Sequence, residues 1–168
     1  MRCTGLVIVL LLLGAPAYAA ESVYSRTSGS GCDDSGSIEE LSVWQCPGPA
    51  GYSAEFSDEG NLVAFKIFRT GQRDDEPGLI WRGAEQVFGN RLEWRMSDGK
   101  PIAVILRTWR RLAADDSGHE AVRQEFLIIS LRGQQPCKVG AINAREPHAN
   151  RHARVFADSV VSCQADEK

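Results

Sequence analysis

The sequence is short of the residues from which most recognisable catalytic sites are built. Lysine is scarce and scattered, at Lys66, Lys100, Lys138 and Lys168. No glycine loop suited to phosphate and no dinucleotide fingerprint occurs. His-Glu-x-x-His is absent: His148 and His152 stand four apart with Arg151 and Arg154 beside them, which suits a solvated helix face better than a metal pair. Neither Cys-x-x-Cys nor zinc-type cysteine spacing occurs. There is no basic block, and 22 acidic residues outnumber 19 basic ones, so nucleic acid is an unsuitable partner. Beyond the first nineteen residues no apolar run approaches the roughly 18 residues a spanning helix needs. At 43% hydrophobic residues, disorder is excluded as well.

What is present begins with a leader. Arg2 precedes the apolar run Leu6 to Leu13, Gly14 and Pro16 break it, and Ala17-Tyr18-Ala19 offers small residues at a cleavage site. Residues 1–19 therefore read as a secretory signal and residues 20–168 as a single disulfide-stapled, β-rich domain. Removing 19 of 168 residues leaves 149, enough for a sizeable core. None of the four asparagines begins an Asn-x-Ser/Thr acceptor, which leans toward a bacterial source and a periplasmic or extracellular address.

Cys3 leaves with the leader, and Cys32, Cys46, Cys137 and Cys163 remain. Four cysteines in an exported chain imply two disulfides. Pairing neighbours, Cys32 with Cys46 and Cys137 with Cys163, is the economical choice among three. No thiol is then left for catalysis.

The body reads as strands divided by turn residues. Ser42 to Cys46, Tyr52 to Phe56, Leu62 to Phe68, Arg91 to Met96, Ile102 to Trp109 and Val122 to Leu131 alternate or run apolar, and Ser97-Asp98-Gly99 marks a hairpin. Gly71 to Gly89, with four glycines among charges, reads as a long loop with at most one short strand or turn. One helix follows Pro147, with Ala149, Ala153, Phe156, Val160 and Cys163 at helical spacing and Phe156 its central buried residue. Arg154 falls on its solvent side. The expected fold is mainly β (α+β): an antiparallel sandwich or barrel-like domain with one C-terminal helix.

Asp-Asp-Ser-Gly occurs at Asp33 to Gly36 and again at Asp115 to Gly118, resembling the paired motif of aspartic proteases. The apolar flanks of that family are missing, so turn chemistry is the better reading. Asp33, Asp34, Glu39, Glu40 and Asp74 to Glu76 could offer oxygens to calcium but lack EF-hand order, which favours solvated loops. No catalytic set, metal site or cofactor is expected. Among the tryptophans, Trp44, Trp94 and Trp109 sit in strand runs. Trp81 falls in the glycine-rich stretch, where partial exposure and a rim of charges including Arg73 and Arg82 would suit a binding surface.

Val43-Trp44-Gln45-Cys46-Pro47-Gly48-Pro49-Ala50-Gly51-Tyr52 and Cys137-Lys138-Val139-Gly140-Ala141-Ile142-Asn143-Ala144, with the helix after them, resemble a set of small exported bacterial proteins of unknown function. The resemblance implies an exported, stapled domain and brings no ligand or activity. The function expected is a non-enzymatic, exported binding domain that contacts a protein or envelope component. A narrower alternative is an inhibitor of an extracellular hydrolase, lysozyme-inhibitor-like; another is a hydrolase with unrecognised acidic residues.

Overall fold

A computed structural model describes residues 20–71, 78–114 and 118–160. Residues 1–19, Arg73, the acidic run at 74–76, Asp115 to Ser117 and Cys163 lie outside the described residues. Nine strands and one helix follow in chain order: β1 Glu21–Arg26, β2 Asp33–Asp34, β3 Ser42–Pro47, β4 Tyr52–Asp58, β5 Leu62–Arg69, β6 Leu79–Ser97, β7 Lys100–Arg111, β8 Val122–Ser130, β9 Cys137–Asn143 and α1 Ala149–Ser159. All strand pairings are antiparallel, from β2 through β9 in sequence order, with β1 added beside β6. The fold is therefore mainly β with a single C-terminal helix on an open sheet. No helix of the described residues is long and apolar enough to cross a membrane.

Local chemistry explains the sharpest turn. Asp98 and Gly99 both have positive φ, 50° and 70°, between the paired residues Ser97 and Lys100. A two-residue Asp-Gly loop of this kind matches the twist of the strands it joins.

The long strand β6 organises the rest. Its first residues, Leu79 to Arg82, pair with β5; from Gly83 onward it pairs with β7, and Arg91 to Met96 also carry β1. The sheet folds over at this change of partner. Side chains from β3–β5 (Cys46, Phe56, Val63, Phe65) then share one apolar cluster with Leu92, Trp94, Leu106 and Leu127 from β6–β8. Phe56 is fully buried among aromatic neighbours, 5.1 Å from Phe65, 5.0 Å from Phe88 and 5.7 Å from Trp44 between ring centroids. Alternation explains why one face of each strand enters this core.

The glycine-rich stretch is thus strand from Leu79 onward, where the sequence suggests a loop. Its glycines serve close approach: a Cβ on Gly83 would stand 3.0 Å from Val63 Cγ1, and one on Gly89 3.0 Å from Arg107 Cβ. Trp81 is consequently buried, at 6% exposure, with its ring edge-on to Phe88 at 5.6 Å.

The opposite face of β7 and β8 carries Ala103, Ile105, Phe126 and Ile128, and α1 covers it with Ala149, Ala153 and Ala157. The helical phase inferred from sequence needs correcting here. Phe156 is 36% exposed and lies at the margin, its ring against Gly140 of β9. The bulky partners come from the sheet, so the helix contributes small residues that let the backbones approach.

Arg154 is not a free surface residue either. Its Nε donates to Glu93 Oε1 at 2.6 Å and its Nη2 to the Tyr24 hydroxyl at 2.9 Å. Beside it, buried Arg95 grips both oxygens of Asp158 at 2.7 Å and donates to the Ala20 carbonyl at 2.6 Å and to Ser22 Oγ. Strand β1, strand β6 and the helix are locked together by these charges.

Cys32 and Cys46 form a disulfide across 14 positions, and Cys137 is likewise disulfide-bonded. Cys46 is buried, a covalent framework compatible with an oxidising compartment.

Candidate functional site

At the fold-over point of β6 the inner face stops being uniformly apolar. Thr108 on β7 and Glu125 on β8 are paired neighbours, and both are buried. Strand alternation places them in line with Leu106 and Leu127, so two polar side chains continue the core stripe. Around them lies a cavity of about 50 Å³ lined by Leu79, Ile80, Trp81, Thr108, Arg110, Glu125, Leu127 and Lys138.

Two irregularities open and equip this space. Between Gly83 and Phe88 the β6–β7 register shifts, so the two strands do not zip evenly past the cavity. Between β8 and β9 a second shift pairs Ile129 with Lys138 directly after Ile128 with Gly140. One residue of β9 is skipped, and Lys138 comes to the inner side. Bulges commonly re-aim a side chain in this way.

The hydrogen-bond inventory is unequal. Trp44 Nε1 donates to the Thr27 carbonyl at 2.6 Å and Trp94 Nε1 to Ser25 Oγ at 2.9 Å. Trp109 Nε1 lies 3.3 Å from the Gln124 carboxamide oxygen in that side chain's satisfied orientation. Trp81 differs: its Nε1, like Thr108 Oγ1, is buried with no partner among the described residues. Both atoms belong to side chains that line the same cavity. An unmet buried donor or hydroxyl costs about 1–3 kcal/mol, so two at one place call for an occupant.

The charges at the cavity are Glu125, Arg110 and Lys138. Arg110 Nη1 stands 3.3 Å from Glu125 Oε1 and neutralises the buried carboxylate. Lys138 is exposed and forms no ion pair among the described residues. Among the described residues Glu125 is the one carboxylate in the lining, with no second acid beside it of the kind that glycoside hydrolysis or aspartic proteolysis would use.

The other candidates disperse. Arg82 is exposed and pairs with Glu120 at 2.9 Å. Glu120 also takes Arg111 at 3.1 Å, and that hydrogen bond is the chief cause holding its carboxyl below the usual range. Arg82 thus belongs to an outer ion cluster and is not in the cavity lining. Arg73 lies outside the described residues. Asp34 closes its own turn, accepting from the Gly36 and Ser37 backbone N–H groups at 3.0 and 3.1 Å. No group of three or more His, Cys, Asp or Glu is placed to hold a metal among the described residues. The sequence suggests a partly exposed, flat anchor at Trp81; its relevant feature is instead the edge of a buried indole. Thr108, Glu125 and Lys138 carry no motif, and only strand register brings them together. No protein-family model matches the chain, and neither does any curated protein or solved structure.

Proposed function

We propose that the protein is an exported, non-enzymatic binding domain whose recognition site is the cavity at the fold-over of β6. The observation that carries this reading is the pair of unmet buried polar atoms, Trp81 Nε1 and Thr108 Oγ1, on two side chains that line the cavity. A volume of about 50 Å³ admits the terminal group of a larger partner rather than a whole cofactor. That fits a protein or envelope component inserting one group, with the surrounding surface supplying the remaining contact. The disulfide framework and the leader pattern support a periplasmic or extracellular setting.

The test uses residues 20–168, disulfides intact, as bait on the exported fraction, in parallel with a Thr108→Val variant of matched stability. A partner held by the first and lost by the second is the expected result. A partner held equally by both would move the binding surface away from the cavity.

A further inference from the structure

Resting on that reading of the cavity, we infer that the group it accepts is a carboxylate. The polar groups of the lining offer donors in excess. The Trp81 indole can only donate, the Thr108 hydroxyl can donate, and Lys138 brings three donors and a positive charge. The one acidic residue present is already neutralised by Arg110, so the site as a whole is short of one negative charge and of acceptor oxygens. A carboxylate supplies both in a group small enough for the space. Its two oxygens together offer about four acceptor positions. Leu79, Ile80 and Leu127 provide an apolar collar for the carbon that bears it.

Backbone features point the same way. The β8–β9 register shift skips Val139, which packs against the apolar cluster under α1, and sets Lys138 opposite Ile129. One of its effects is thus to bring a lysine to the cavity. Water alone fits the volume but leaves the excess of donors and of positive charge unmatched, because each water brings as many donors as acceptors.

The carboxylate could come from a free short-chain acid or from a peptide, and the experiment separates them. The mature protein, with its indole nitrogens labelled, is titrated with acetate, propionate, acetamide and inorganic phosphate, and with one short peptide bearing either a free or an amidated C-terminus. The Trp81 indole N–H resonance is followed throughout. Acetate and propionate should shift it saturably, with acetamide about tenfold weaker or worse, because a charge-assisted hydrogen bond is replaced by a neutral one. Lys138→Gln should remove about tenfold of the acetate affinity and leave acetamide unchanged. Peptide binding that depends on the free C-terminus assigns a peptide source; binding confined to the short acids assigns a small-molecule source.

Equal binding of acetate and acetamide, or an unaltered acetate affinity in Lys138→Gln, overturns the carboxylate assignment. So does preference for phosphate. If no carboxylate binds while the partner capture above still depends on Thr108, only the carboxylate inference fails. If the indole proton contacts water alone and capture ignores Thr108→Val, the cavity is hydrated structure and both readings fall.

Discussion

Thr108 illustrates how a residue can weaken a fold while serving it. Its hydroxyl is buried in the core stripe with no partner, so Thr108→Val replaces an unmet polar atom by a methyl of the same shape. The free protein should gain about 1 kcal/mol or show no loss, measured by urea titration, while binding is lost. A clear loss of stability would mean that ordered water already satisfies the hydroxyl. Gly48 shows the opposite economy of space. A Cβ there would overlap the buried Trp94 ring. Gly48→Ala should therefore destabilise by about 1–3 kcal/mol as the indole is forced aside. Neither residue announces its role in sequence. A threonine in a strand and a glycine between prolines are ordinary, and only the neighbours brought by folding distinguish them.

Among the elements, the shorter strands were legible because each alternates cleanly between turn residues: Tyr52, Ala54 and Phe56 are buried together, as are Val63, Phe65 and Ile67. Strand β6 was half hidden. Its glycines resemble breakers until Val63 and Arg107 are seen pressing on them. The helix was legible as a helix but not in phase, because hydrophobicity points to Phe156 whereas the sheet surface demanded alanines. Ala153→Leu should therefore cost about 1–3 kcal/mol or more in a thermal or denaturant melt, exceeding the effect of Phe156→Ala. The reverse order would restore the phase expected from sequence. The charged end of the same helix is equally specific. Asp158→Ala removes the bidentate partner of the buried Arg95 guanidinium and leaves Glu93, at 3.7 Å, to balance its charge. A loss of about 1.5–3 kcal/mol should follow, measured by the same denaturant titration. A change within about ±0.5 kcal/mol would mean that water reaches Arg95.

For the molecule as a whole, fold class and the N-terminal staple could be read from strand spacing and cysteine positions. The cavity could not, because it arises from two register shifts and from residues on four strands. Unreduced peptide mapping should recover Cys137 joined to Cys163 and no free thiol, and a peptide joining Cys46 to Cys137 would contradict the Cys32–Cys46 bond. The attachment of β1 has a consequence for the order of assembly. Arg95 reaches Ala20 across 75 positions, and Glu21 pairs with Met96, whereas β3 to β9 each join a neighbour in sequence. Contacts of such long separation close late. A chain emerging N-terminus first therefore holds β1 without a partner until β6 has followed, and the Arg91–Met96 flank of β6 stays a bare edge from its pairing with β7 until β1 docks. An edge left bare in this way is the geometry that strand exchange between copies requires.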